Sequence, residues 1–254
     1  MYIYYCFVFF IFGTVLGSFF NVVGYRLPRN ESIVYPPSHC PNCNHRLKMG
    51  ELIPIFSYLI QGGKCKNCHK HISLYYPIFE ALCGLAFLLA YISYGLTLEV
   101  IIPLTFISML IIIMVSDYYY MIIPDEVLIF FGILLLIEQI LINGISVVPL
   151  NLLNALIAFG LMFLLKIFGD FIFKKESMGG GDIKLLGLFG LVLGWPNSLF
   201  AIILGSVIGL PISLIVLMFK KSHIIPFGPF LALGAMTIVL FKLDIINIIN
   251  LLTI

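Results

Sequence analysis

The chain has 254 residues, a formal net charge of +2, and a composition that is 61% hydrophobic and 10% charged. Soluble domains hold about 45–50% apolar residues, so these figures, with a mean hydropathy of +1.13, exclude a soluble enzyme, and no nucleic-acid partner is indicated by so small a net charge. Apolar runs of about twenty residues point to a lipid-embedded helical bundle, and the short alternating segments of a membrane β-barrel are absent.

The first predicted span covers residues 2–25. It has no positively charged start and no small-residue cleavage site, so it is expected to be retained rather than removed as a signal peptide. Asn21 within it suits an interhelical hydrogen bond, and Arg26 and Arg29 after it suit the positive-inside rule. Residues 26–75 form the one window without long apolar runs. It carries two Cys-x-x-Cys knuckles, Cys40-Pro41-Asn42-Cys43 and Cys65-Lys66-Asn67-Cys68, with residues 44–64 between them. That spacing matches a four-thiolate zinc site, and in a reducing compartment a disulfide framework is the poorer explanation. A closed four-sulfur site folds a small domain rather than catalysing. His39, His45, His69 and His71 flank the knuckles as ordinary polar residues, whereas Cys6 and Cys83 lie in apolar runs, where free cysteine behaves as a small hydrophobe.

The remaining spans are predicted at 76–95, 99–116, 125–143, 148–172, 183–195, 197–219 and 227–249, giving about eight in all. The segment 183–195 is short for a hydrocarbon core of about 30 Å. With the amino terminus outside, Arg26, Arg29, Arg46, Lys48, Lys64, Lys66, Lys70, Lys174, Lys175, Lys184, Lys220 and Lys221 all fall in or beside cytoplasmic segments, and only Lys242 falls towards the outside. This predicts N-out, C-out, with the cysteine window in the cytoplasm. His223 is expected to be a loop residue. The expected fold class is an all-α polytopic membrane protein with a small cytoplasmic zinc domain between its first and second spans. The expected domains are residues 1–25, 26–75 and 76–254.

In that topology Asp117 closes the third span and Asp182 opens the sixth, both on the cytoplasmic side. Taken singly, each fits a loop position or a helix cap. Taken together, in a chain that keeps carboxylates out of lipid, they point to a function, because ionisable groups at membrane depth are costly. Two carboxyls held close in a poorly solvated site share a proton. One can then take a proton from water while the other donates to a carbonyl oxygen, which hydrolyses an amide without a covalent intermediate. Gly179, Gly180 and Gly181 precede Asp182. Lacking Cβ atoms, they would let an extended substrate approach the carboxylate, or they merely permit a tight turn.

Asp117-Tyr118-Tyr119-Tyr120-Met121-Ile122-Ile123-Pro124-Asp125, Met178-Gly179-Gly180-Gly181-Asp182-Ile183-Lys184 and the two cysteine knuckles resemble the type IV prepilin peptidases, aspartic proteases of bacterial inner membranes. The resemblance extends to Gly17-Ser18-Phe19-Phe20-Asn21 near the start and to Pro226-Phe227-Gly228-Pro229 near the end. It implies removal of a short basic leader from prepilins or pseudopilins, after a glycine, with Asp117 and Asp182 as the catalytic pair. It also implies methyl transfer from S-adenosylmethionine to the new amino terminus, for which no site is readable, since no strand, Gly-rich turn and helix announces a nucleotide. Asp125 is expected to act as a cap or a supporting group. A presenilin-like protease would carry a late Pro-Ala-Leu element, which this chain lacks. A scaffold or transporter would place its acids near the bilayer midplane.

Overall fold

A computed structural model describes residues 1–176, 178–219 and 226–252. Its helices are α1 (Tyr2–Arg26), α2 (Phe56–Ile60), α3 (Tyr75–Tyr94), α4 (Ile101–Tyr120), α5 (Asp125–Asn143), α6 (Val148–Phe173), α7 (Gly180–Leu193), α8 (Trp195–Phe219), α9 (Gly228–Phe241) and α10 (Ile245–Leu252). Among the described residues there is no strand; two isolated bridges, His39 to Arg46 and Lys64 to His71, lie in the cysteine-bearing segment. Lys220, Lys221 and His223 lie outside the described residues.

The core is built around α4. Every residue from 106 to 117 is buried, which follows from a helix apolar on all sides: such a helix has no face to give to water or lipid and is covered by its neighbours. Helices α1, α3, α5 and α9 supply that cover. Close packing of α1 on α3 depends on bare glycines. A methyl group at Gly13 or Gly17 would meet Cys83 at 2.8 Å, and one at Gly84 would meet the Thr14 methyl at 2.5 Å. Small residues spaced four apart let backbones approach where lipid supplies no hydrophobic drive between helices. Asn21 adds the expected interhelical bond, its side-chain amide donating to the Tyr76 carbonyl at 3.3 Å. On the periphery, α6 buries only Ala158 and Met162 and turns Leu156, Phe163, Leu164 and Phe168 outward.

Five segments are long and apolar enough to cross a membrane, namely Tyr2–Arg29, Tyr75–Tyr94, Leu98–Tyr120, Ile145–Phe173 and Trp195–Val216, and α9 with α10 would make a sixth. By length and apolarity alone, five or six of the about eight expected spans are counted among the described residues. Helix α5 carries Asp125, Glu126 and Glu138 in its 19 residues, and the 14-residue α7 spans about 21 Å at 1.5 Å per residue. The span expected at 227–249 is broken: α9 and α10 meet at 70°. Lys242 adopts a left-handed conformation that ends α9, and α10 is capped by Asp244, whose carboxylate accepts from the Ile246 N–H at 3.1 Å. Asn197 takes the Ile245 N–H at 2.9 Å. A side chain that satisfies free N–H groups is a helix start signal.

Candidate active site and metal centre

Asp117 lies on the last turn of α4, which runs on to Tyr120, past the end at residue 116 expected for that span. Met121, at φ +56°, closes that helix by donating its N–H to the Asp117 carbonyl at 2.8 Å. The Asp117 side chain is 7% exposed. Its Oδ2 accepts the backbone N–H of Gly228 at 2.9 Å, the first residue of α9, where unpaired N–H groups favour a carboxylate. A methyl group at Gly228 would stand 2.6 Å from that oxygen. A glycine is therefore the only residue that fits here without moving the carboxylate. Sequence reasoning noticed the string around Gly228 but gave it no task, and a partner 111 positions away leaves no local signal.

Asp182 sits in the first turn of α7 and is half-buried. The cap position belongs to Gly179, so Asp182 is not the cap of its helix. It lies within reach of the charge on Asp117. The three glycines differ in surroundings. A side chain at Gly180 would meet open space, one at Gly179 would touch Asp182 Oδ2 at 3.4 Å, and one at Gly181 would strike the Ile123 Cβ at 2.9 Å. Gly181 thus brings the start of α7 against the loop that follows Asp117. Across the same junction the Lys184 ammonium grips both oxygens of Asp125, at 2.8 and 2.7 Å, which makes Asp125 a tie between α5 and α7 rather than a cap.

Cys40, Cys43, Cys65 and Cys68 are brought together, with all four sulfurs within 4.8 Å of one another. Two edges measure 3.8 Å, Cys40 to Cys68, and 3.9 Å, Cys43 to Cys65. A tetrahedron of thiolates about 2.3 Å from a zinc ion has edges of about 3.8 Å, so the donor set fits that metal. The knuckles favour the thiolate form at two of the four sulfurs, whereas at Cys68 a backbone hydrogen bond at Lys70 is outweighed by burial and the neighbouring thiols, which push the thiol up to about 11. A backbone hydrogen bond at His45 and the Asn67 side chain hold the Cys43 thiol down at about 6, and backbone hydrogen bonds from Cys68 and Asn67 lower Cys65. Glu51, which the sequence did not single out, links the two knuckles from beneath. Its buried carboxylate accepts the Lys48 N–H at 2.8 Å, meets His45 Nε2 at 3.3 Å and faces Lys66 at 3.9 Å.

Residues 11–94 match the model of the bacterial peptidase A24 N-terminal domain, and residues 104–214 match that of the type IV leader peptidase family. A prepilin leader peptidase/N-methyltransferase of Bacillus subtilis is 38% identical over 244 residues, covering 94% of this chain and 96% of its own length. The chain belongs to the type IV leader peptidase family. Proteins of the same description from Pseudomonas putida and Pseudomonas aeruginosa are each 28% identical, over 91% and 88% of this chain and 88% and 86% of their own lengths. No solved structure matches the chain significantly. Residues 95–103, the loop after α3 and the first three residues of α4, separate the two matches, and Asp117 and Asp182 both fall in the second.

Proposed function

We propose that this protein removes the leader from prepilins or pseudopilins after a glycine, with Asp117 and Asp182 as the two acids. What supports the reading is that Asp182 stands within reach of the charge on Asp117 and that the Gly228 N–H aligns Asp117. In this reading Asp117, whose Oδ2 is held in place by the Gly228 N–H, takes the role of base. Asp182 holds the proton. A water between them loses a proton to Asp117 as its oxygen adds to the scissile carbonyl carbon, and the Asp182 proton passes to the carbonyl oxygen. Collapse of the tetrahedral diol breaks the C–N bond as a diol hydroxyl returns its proton to Asp182, and the proton on Asp117 leaves with the new amine. Open space beside Gly180 suits an extended chain with a glycine before the cut.

The basic residues support an N-out, C-out orientation in a bacterial inner membrane. Counting α5 and the 14-residue α7 as crossings beside the longer segments, alternating passes through α1 and α3 to α9 would bring the end of α4 and the starts of α7 and α9 to the cytoplasmic face. The cysteine module, with Arg46, Lys48, Lys64, Lys66 and Lys70, falls on that face also. Zinc is the metal that the four sulfurs suit; bound there, it would cross-link the module and take no part in hydrolysis. The relatives' description supports a second activity, transfer of a methyl group from S-adenosylmethionine to the freed amine, with loss of an amine proton and release of the thioether.

The test is cleavage of a prepilin-like substrate in detergent by wild type, Asp117→Asn and Asp182→Asn, with helical content checked in each. Loss of at least about a thousandfold in rate by both folded variants is expected, in line with removal of an essential acid or base. Wild-type cutting by either one would dismiss the pair.

A further inference from the structure

The cysteine-bearing window holds a segment that does not belong in water. Residues 52–63 carry no charge, and 52–60 read Leu-Ile-Pro-Ile-Phe-Ser-Tyr-Leu-Ile. The short helix α2 lies within it, and Phe56, Leu59 and Ile60 are 63%, 66% and 81% exposed. A contiguous exposed apolar patch of this kind marks a surface that something else covers.

Its depth says what covers it. The Ile55 N–H donates to Glu80 Oε2 at 2.8 Å, and Glu80 is a buried residue five positions into α3, about 7–8 Å along its axis. Glu80 also packs against α1: a methyl group at Gly17, nine positions before the end of α1 and about 13–14 Å back along that helix, would stand 3.2 Å from the Glu80 Cα. Ile55 is a β-branched residue at φ +62°, a conformation such residues avoid, and it is held there at the level of Glu80. The return limb is fixed by Tyr58, whose hydroxyl donates to the Ile72 carbonyl at 3.3 Å, and by the Ile72 N–H on the Gly63 carbonyl at 2.7 Å. At the same level α1 and α3 turn Phe19 and Ile78 outward, as spans do towards acyl chains.

We propose that residues 52–60 form a re-entrant finger that inserts its apolar tip among the lipids beside α1 and α3, and so fixes the cysteine module against the bilayer surface. Glu80 is the residue that positions it. Non-helical backbone at such depth is tolerated where protein satisfies its polar groups, and the Ile55 to Glu80 bond does so for the strained turn. Irregular apolar segments in the boundary between headgroups and chains are bound by the area they bury there.

Trp195 is the only tryptophan, so a Trp195→Phe background carrying Leu59→Trp or Ile60→Trp reports on the finger alone. Each variant, with the wild-type helical spectrum, is placed in phosphatidylcholine and phosphatidylglycerol vesicles with brominated acyl chains. We expect more than half of the emission to be quenched, more strongly by bromines near the headgroup than near the chain ends, with little quenching by iodide. Lys64→Trp in the same background, on the cysteine module, should show the reverse. Quenching of both finger tryptophans by iodide and not by bromine would overturn the proposal. So would bromine quenching that disappears on addition of a prepilin, which would make the substrate the occupant, or on raising the protein-to-lipid ratio, which would make it a second copy.

Discussion

The membrane bundle and the cysteine module are held together by different means. In the bundle, α4 alone buries an unbroken run of twelve residues, 106–117, and glycines on α1 and α3 allow backbones to touch. In the module, between α1 and α3, the buried side chains are Cys40, Cys65 and Glu51. A unit with so little apolar interior cannot offset the entropy of ordering its chain, and it needs a cross-link. The bundle carries its own stability, and the module draws its stability from four sulfurs and from its attachments to the bundle.

That contrast is broken most directly at the sulfurs. Replacement by Cys40→Ser with Cys65→Ser is expected to empty the metal site and unfold the module, since structural zinc in small domains supplies on the order of 10 kcal/mol. The bundle should keep its helical content. Metal analysis and limited proteolysis read the two halves separately: retained zinc, or collapse of the helices together with the module, would contradict the division. Glu51→Gln sharpens the same point. It keeps a hydrogen-bond acceptor for the Lys48 N–H but removes the charge facing His45 and Lys66, so zinc should pass to a chelator several times faster with no change in the bundle.

A second prediction acts inside the bundle, where packing leaves no slack. Gly228→Ala places a methyl group 2.6 Å from Asp117 Oδ2, so the carboxylate must shift by a few tenths of an ångström or more and its hydrogen bond must lengthen. Displacement of this order at a reacting group costs about a hundredfold in rate. Folding and zinc content should be preserved. Cleavage within a factor of three of wild type would show that Gly228 does not align Asp117.

Much of this architecture was readable from the sequence because its signals are local. The apolar runs set the order of the helices, and the Cys-x-x-Cys spacing identified the four sulfurs that converge in the structure. Asp117 and Asp182 stood out as isolated acids at the ends of those runs. What escaped were relations between distant residues. Nothing near Gly228 announces that its N–H serves a carboxylate 111 positions earlier, and Glu51 reads as one more surface acid until the two knuckles close over it. Residues 52–60 were hidden by their shortness, since nine residues, apolar but for Ser57, fall below the length of a span and sit in a window whose cysteines and lysines dominate. The break between α9 and α10 was signalled by Asp244, a capping residue after an apolar run, but the apolar residues on both sides outweighed it.

The smallest effect is expected where α5 and α7 are joined on the surface. The Lys184 ammonium bridges both oxygens of Asp125, yet the two side chains are 51% and 56% exposed. An exposed pair of this kind contributes about 0–1 kcal/mol, because water and salt screen the charges and two long side chains lose freedom. Lys184→Ala should therefore change the cleavage rate by no more than about fivefold, and the difference should shrink as salt is raised. Gly181 explains why so little is expected: its close contact with Ile123 already brings the start of α7 to the loop after Asp117, and that contact is independent of charge. A hundredfold loss in Lys184→Ala that high salt does not reproduce in wild type would move Lys184 from the surface tie into the reaction itself.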